Sequence, residues 1–245
     1  IIKMYRVQKI LSMIGILSRR ECEKLLLQKK IKINDSIATI GAKVKIGDKI
    51  SVNKKTYIVS SEIFKSKIKV IAYYKSVGEL VTVKDDRHRK NVFSHLPDVN
   101  GKWINIGRLD MNTSGLLLFT NNGDIANALM HPSSKIQRVY EVSVTGNITK
   151  EKIVLSKKGI DIGKGEIGKF LNIVQINNEL PNTYKVTLIT GKNREIRRVF
   201  DSLDCKVVKL KRIKYAIVEL GNLKVNKYRN LNREEVKSIV KYLKK

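Results

Sequence analysis

The chain has 245 residues, and its 50 lysines and arginines against 22 aspartates and glutamates give a formal net charge of +28, which favours a polyanionic partner such as nucleic acid or an anionic membrane surface. The two cysteines are far apart and the three histidines are not clustered, which argues against a disulfide framework and against a metal site. With no apolar run of the roughly 18 to 20 residues that span a bilayer and no signal-peptide pattern at the N-terminus, we expect a cytoplasmic protein.

The first sixty residues read as a unit of two helices followed by short strands. Apolar residues at helical spacing predict a first helix over residues 7–14, which ends at Gly15. Ser18 and Glu21 have the spacing of a capping box and predict the start of a second helix. Short strands are predicted after it, at residues 31–33 and 46–52.

After a segment of weak periodicity, strands outnumber helices and do not alternate with them regularly. The predicted strands cover residues 68–74, 103–109, 116–120, 139–144, 184–189, 206–210 and 216–220. The predicted helices cover residues 124–130, 150–156, 194–203 and 233–243. This arrangement favours an α+β fold with a mixed, mainly antiparallel sheet flanked by helices. We expect three parts: a small domain at 1–60, a linker at 61–67 and a larger domain at 68–245.

The most informative feature of the chain is Asp110, a carboxylate with apolar residues on both sides in the sequence. Asp110 lies in the run Gly107 to Thr120, between residues that read as strand and core, and Arg108 precedes it by two positions. A carboxylate in such a place is costly to ionise unless a cation lies nearby. The position of Asp110 therefore indicates a chemical role for its carboxylate.

The Asp110 segment resembles the catalytic motif of the RsuA/RluB/RluE/RluF group of rRNA pseudouridine synthases. Further segments that match the same group in the same order are residues 74–82, 137–142, 191–200 and 208–215. The resemblance implies that Asp110 is a nucleophile that needs no metal or organic cofactor. It also implies that Tyr140 stacks on an extruded uracil, where its hydroxyl can assist proton removal, and that Leu210 forms the apolar floor beneath the base.

Basic residues in the matching segments are candidates for binding the RNA or the nucleophile. On a helix from Arg194, spacing puts Arg194, Arg197 and Arg198 on one face, with apolar residues opposite. The resemblance implies that Arg197 pairs with Asp110, which leaves Arg194 and Arg198 for RNA phosphate. Arg108 is expected to enter the helical stack as the target base leaves; a salt bridge at a strand end is the alternative.

Two more expectations concern the ends of the matching region. The first motif includes Lys75, expected to contact RNA, and Ser76 stands where the group usually has proline, so this turn is expected to be less rigid. In the N-terminal unit, Arg19, Arg20 and Lys24 lie on the second helix, whose surroundings resemble an S4 RNA-binding domain. Phosphate contacts there would supply affinity rather than sequence discrimination; a solvated surface is the alternative.

A match to the dinucleotide pattern GxGxxG at Gly163–Gly168 is set aside, because the residues after it read as a strand and no acid follows at the required distance. A β-hairpin is expected there instead.

Within the group, the sequence is most similar to the enzymes that modify large-subunit (23S) rRNA. The alternatives are an enzyme for 16S rRNA and a non-catalytic S4-type assembly factor. We expect a monomer whose partner is ribosomal RNA.

Overall fold

A computed structural model describes residues 3–65, 67–83, 85, 87, 89–176 and 182–244. The chain forms two compact units. The first contains the residues up to Lys69 together with Pro97–Ile104 and Asn121–Gly123, and the second contains Val70–Leu96, Asn105–Thr120 and the residues from Asp124 onwards. The first unit thus includes two short segments from later in the chain, which the sequence did not indicate.

The first unit has two short helices followed by small antiparallel strands. Its elements are β1 (Tyr5–Arg6), α1 (Val7–Met13), α2 (Arg19–Leu27), β2 (Ile31–Ile33), β3 (Ser36–Ile37), β4 (Lys43–Val44), β5 (Lys49–Val52), β6 (Lys55–Ile58) and α3 (Glu62–Lys65). The expected linker therefore contains a helical turn, α3, and its residue 66 lies outside the described residues.

The capping box predicted for the second helix is confirmed. The Ser18 hydroxyl accepts from the Glu21 N–H at 3.2 Å, and the Glu21 carboxylate accepts from the Ser18 N–H at 2.9 Å. Behind this start, Cys22 and Leu26 of α2 pack with Val7 and Ile10 of α1 in one buried core. The polar side of α2 is consequently left outside, and its basic residues are exposed.

The second unit is built on one large sheet with helices against it. Its strands are β7 (Val70–Lys75), β8 (Ile104–Ile106), β9 (Ser114–Thr120), β10 (Arg138–Thr145), β11 (Ile160–Asp161), β12 (Ile167–Gly168), β13 (Asn172–Gln175), β14 (Thr183–Leu188), β15 (Lys206–Tyr215), β16 (Val218–Glu219) and β17 (Tyr228–Asn230). Its helices are α4 (Gly123–Met130), α5 (Lys150–Lys158), α6 (Glu195–Asp201) and α7 (Arg233–Val240).

The described strands confirm a mixed, mainly antiparallel sheet. Its order is β13-β14-β10-β15-β9-β7-β17, and along this path β15 and β9 are the parallel pair. In β7 the buried side chains form a nearly continuous run, as expected for a strand covered on both faces. None of the helices in the described part of the chain is long and apolar enough to cross a membrane.

The parallel pair β9–β15 depends on a glycine. Gly115 has φ +105°, and a Cβ at this position would overlap the main-chain carbonyl of Arg212. A side chain is therefore excluded both by the backbone conformation and by the neighbouring strand. This close approach brings the segment after Asp110 directly beside β15.

Two differences from the predicted elements bear on the site. The helix predicted from Arg194 begins at Glu195, because Arg194 is in the left-handed region with φ +50°. The strand predicted to end at residue 210 continues to Tyr215. The hairpin expected around Gly163–Gly168 is confirmed, since β11 and β12 pair antiparallel and residues 162–166 connect them.

Candidate active site

A cleft of about 870 Å³ opens in the second unit, and it contains the carboxylate singled out by the sequence. Its lining includes Asp110, Tyr140 and Leu210, which come from a loop and from two neighbouring strands. Arg108 and Arg194 also line it and are exposed. Residues that are distant in the sequence are thus brought to one cleft.

Asp110 is the first residue of a tight turn. The Thr113 N–H donates to the Asp110 carbonyl at 3.0 Å, which closes the turn directly before β9 begins. The Asp110 side chain is half-buried and faces the cleft. A carboxylate held on a closed turn at a strand end has a fixed position and faces an open cleft.

The three carbonyls that follow Asp110 are each held by a donor from elsewhere in the unit. The Met111 carbonyl accepts from the Gly78 N–H at 2.8 Å, and the Thr113 carbonyl accepts from the Lys75 ammonium at 2.8 Å. The carbonyl of Asn112 accepts from Arg197 Nη2, also at 2.8 Å. The turn is therefore fixed through its main chain from two sides.

The structure gives Arg197 a different contact from the expected ion pair. Among the described residues, no lysine or arginine nitrogen lies within 4.0 Å of the Asp110 carboxylate. Arg197 is only 9% exposed and spans from the Asn112 carbonyl to the Val207 carbonyl on β15, which is 3.0 Å from its Nη1. In this structure it ties the Asp110 turn to the strand beside it.

The charge of Arg197 nevertheless acts on the site. Burial lowers the pKa of Arg197, and the positive charge of Arg194 lowers it further. The negative charges of Asp110 and Asp201 act in the opposite direction and favour the guanidinium. Arg197 thus acts electrostatically with Asp110 while its hydrogen bonds go to main-chain carbonyls.

The expected outward basic stripe on α6 is not formed. Arg197 is buried, and Arg198 donates through Nε to the Ile162 carbonyl at 2.8 Å and through Nη2 to the Gly163 carbonyl at 2.7 Å. Arg198 also contacts the Glu166 carboxylate. The donors of Arg198 are thus engaged within the fold, mainly with the hairpin β11–β12, whereas Arg194 is exposed at the cleft.

Tyr140 and Leu210 share one face of adjacent strands. In the β10–β15 ladder Tyr140 is opposite Arg212 and Val142 is opposite Leu210, so side chains at these positions point the same way. Tyr140 is 8% exposed and Leu210 is 7% exposed, and each contributes that remaining surface to the cleft. An aromatic face and an aliphatic side chain are therefore available to a planar base.

Lys75, expected to bind RNA, is fully buried. Its ammonium donates to the main-chain carbonyls of Ser76 at 2.9 Å and of Thr113 at 2.8 Å. Burial lowers the pKa of Lys75 to about 8, and the charges of Glu79 and Asp110 oppose this shift. Lys75 is thus a support beneath the Asp110 turn and is inaccessible to phosphate in this structure.

Two arginines that sequence analysis missed brace the walls of the cleft. Arg212 is 2% exposed and donates through Nε to the Leu116 carbonyl at 2.7 Å, with its guanidinium 5.1 Å from the centre of the Tyr215 ring. Arg138 Nη1 donates to the carbonyls of Ile189 and Thr190, each at 3.1 Å. The signal available for both was their place in the matching segments 137–142 and 208–215.

The remaining candidates lie in the first unit, where Arg19, Arg20 and Lys24 are exposed on α2. In the part of the chain that the structure describes, no group of three or more His, Cys, Asp or Glu residues is arranged to hold a metal ion.

Comparison with known proteins gives the class to which this fold and cleft belong. Residues 69–202 match the family described as RNA pseudouridylate synthase, and residues 6–50 match the S4 domain. The chain belongs to the RNA pseudouridylate synthase family and is a pseudouridine synthase, an isomerase. The matched region contains the Asp110 turn, Tyr140 and Arg197.

Two relatives that are similar over most of this chain carry the same name. The chain is 41% identical over 234 residues to ribosomal large subunit pseudouridine synthase B of Buchnera aphidicola subsp. Schizaphis graminum, covering 93% of this chain and 90% of that protein. It is 38% identical over 218 residues to the protein of the same name from Vibrio vulnificus, covering 88% of this chain and 68% of that one.

A solved structure described as a pseudouridylate synthase has the same fold. It superposes with a TM-score of 0.68 at 22% sequence identity, covering 96% of this chain and 99% of that one.

Proposed function

We propose that this enzyme converts a uridine of large-subunit (23S) rRNA to pseudouridine, with Asp110 as the nucleophile. The observation that carries the proposal is the convergence of Asp110, Tyr140 and Leu210 on one cleft whose catalytic turn is held by its main chain. The substrate follows from the name of the relatives, which are similar over most of the chain. A 16S rRNA substrate and a non-catalytic assembly role are the competing outcomes of the test below.

The reaction exchanges one bond to the ribose for another. The N1–C1′ bond breaks, the base rotates and C5 joins C1′; C5 loses its proton and N1 gains one. Asp110 attacks covalently at either C1′ of the ribose or C6 of the base, and the covalent link is broken when the product forms. No step requires a metal or an organic cofactor.

The walls of the cleft suit a base that has left the RNA stack. A uridine within a stem is out of reach of Asp110, so it must be extruded at a cost of a few kcal/mol. Tyr140 can stack on the extruded uracil and Leu210 can lie beneath it, since both present surface to the cleft. We assign to Arg108 the filling of the space that the base vacates, because Arg108 is exposed and lines the cleft.

RNA binding is assigned to the exposed basic residues. Arg194 is exposed beside the cleft, and Arg19, Arg20 and Lys24 are exposed on α2 of the S4-type region. Their contacts with phosphate give affinity and position rather than base discrimination. We propose residues 1–60 as the RNA-binding domain, 61–67 as the linker and 68–245 as the catalytic domain of a monomer that acts on rRNA in the cytoplasm.

The test is release of tritium from C5 of labelled rRNA. Purified protein is incubated with uracil-labelled 23S and 16S fragments, with Asp110→Asn as the matched inactive variant. We expect release from 23S fragments alone, and none with Asp110→Asn, which should still bind the RNA. Release from 16S fragments alone would make 16S rRNA the substrate, and release from neither would favour the non-catalytic role. Undiminished release by Asp110→Asn would exclude Asp110 as the nucleophile.

A further inference from the structure

A buried carboxylate outside the cleft lies behind the Asp110 turn. Glu79 is 1% exposed. Its Oε2 accepts from the Ser76 N–H at 2.8 Å and from the Ser76 hydroxyl at 3.0 Å, and its Oε1 accepts from the Tyr73 hydroxyl at 2.8 Å. His95 Nε2 lies 3.5 Å from the same Oε1. A carboxylate so buried is costly unless donors compensate it, and here Ser76 and Tyr73 supply three hydrogen bonds.

The hydrogen bonds to Ser76 close the loop that holds the Asp110 turn. Between Ser76 and Glu79 the chain passes through Gly78 at φ +89°, and the Gly78 N–H points to the Met111 carbonyl at 2.8 Å. Proline at position 76 would have no N–H, so serine supplies two donors to Glu79 that proline lacks. The rigidity that a proline ring would give is replaced here by two hydrogen bonds.

Glu79 also acts on the second support of the turn. Lys75 donates to the Thr113 carbonyl, and the negative charges of Glu79 and Asp110 stabilise its ammonium against burial. Glu79 therefore acts on the Asp110 turn in two ways, through the loop that carries the Gly78 N–H and through the charge of Lys75. Both routes end on carbonyls within three residues of Asp110.

We propose that Glu79 is a positioning residue for the isomerisation, which keeps the Asp110 turn in place by fixing the Ser76–Gly78 loop. This rests on the proposed role of Asp110 as the nucleophile. Glu79 touches neither substrate nor reacting atoms, since it is buried behind the turn. Its effect must appear in kcat and in its dependence on pH.

The pH dependence separates this role from general stabilisation of the fold. If Lys75 must be protonated, kcat falls as the pH rises through the pKa of Lys75, which is about 8. Removing the negative charge of Glu79 lowers that pKa further, so the alkaline fall moves to lower pH. Among the described residues, the other charged or titratable groups that contact Glu79 or act on Lys75 are Asp110, Tyr73 and His95, and all are retained in the variants below.

The test compares Glu79→Gln, which keeps an acceptor but loses the charge, with Ser76→Ala, which keeps the charge but loses one donor. Glu219→Gln is the control, because Glu219 is an exposed carboxylate paired with Lys214. For Glu79→Gln we expect kcat to fall about tenfold or more, KM to stay within about twofold, and the alkaline fall to move down by about half a pH unit or more. For Ser76→Ala we expect a smaller fall in kcat and no pH shift.

Hydrogen exchange at the Thr113 and Gly78 amides gives a second measurement that does not depend on activity. These amides bond to the Asp110 and Met111 carbonyls, and Glu79→Gln should speed their exchange about tenfold or more relative to Glu219→Gln. Unchanged exchange together with an unmoved pH profile would overturn the proposal while the wild type stays active. An inactive wild type would overturn the proposed function instead, and exchange would still decide the role of Glu79.

Discussion

Replacing Arg197 with methionine tests how the Asp110 turn is held. Methionine is close in length, but it lacks the donors that reach Asn112 and Val207. The variant therefore releases the turn from β15 while the other donors, Lys75 and Gly78, remain. Arg197→Lys is the intermediate variant, because one ammonium cannot reproduce the fork of a guanidinium.

The expected loss follows from the two hydrogen bonds. A hydrogen bond from a charged donor contributes about 1.5 to 3 kcal/mol. If the bond to Asn112 serves to hold Asp110 in the transition state, its loss lowers kcat by about 10- to 150-fold. Because Arg197 is 9% exposed and its donors are directed to main-chain carbonyls, KM should change by less than about threefold.

Steady-state tritium release at several RNA concentrations measures kcat and KM. Arg233→Met is the control, since Arg233 is exposed on α7 and should behave as wild type. Thermal unfolding confirms that the variants are folded. A folded Arg197→Met enzyme with unchanged kcat and a raised KM would refute the reasoning, because Arg197 would then act as an RNA contact.

Three further predictions concern stability and the base. Because the pKa of Lys75 is about 8 in the fold against an ordinary 10.5, the unfolded chain binds more protons between these values, so this residue's contribution to stability should rise with pH across that window. Denaturation at about pH 7 and about pH 10 should show this rise in wild type and a smaller one in Lys75→Met. Gly115→Ala should lower the free energy of unfolding by at least about 2 kcal/mol, and by more than Gly163→Ala, where φ is also positive but no atom lies within 4 Å of the added Cβ. Tyr140→Phe should bind RNA as wild type but release tritium more slowly, whereas Tyr140→Leu should lose both properties; equal rates for Tyr140→Phe and wild type would exclude a role for the hydroxyl.

Local patterns in the sequence predicted most of the elements. The capping box at Ser18 is confirmed. A second capping box begins α7 at Asn232, whose side chain accepts from the Glu235 N–H at 2.9 Å. Such signals are local, because both partners lie within one turn. The hairpin at Gly163–Gly168 was likewise predictable from its glycines and the strand that follows.

The contacts of the basic residues could not be predicted in the same way. Spacing on α6 placed Arg197 and Arg198 together, but it did not show which side of the helix meets the sheet. The partner of Arg198 is Glu166, 32 residues earlier, and the partner of Arg197 is Asn112, 85 residues earlier. A main-chain carbonyl acceptor cannot be predicted from the type of residue, because every residue has a carbonyl.

Lys75 had a signal in the sequence that was overlooked. Lys75 is two positions after the buried Tyr73 in β7 and therefore lies on the same face of the strand, and Glu79 follows four residues later. A lysine in phase with buried residues and close to a carboxylate favours a buried, paired ammonium over an RNA contact.

Mapping of pseudouridines in rRNA tests the central claim most directly. Cells lacking this chain are compared with cells that express it as wild type or as Asp110→Asn, and every pseudouridine in 23S and 16S rRNA is read. We predict that a 23S site loses its pseudouridine without the protein and regains it with wild type but not with Asp110→Asn. An unchanged 23S rRNA, or a site restored by Asp110→Asn, would contradict the account.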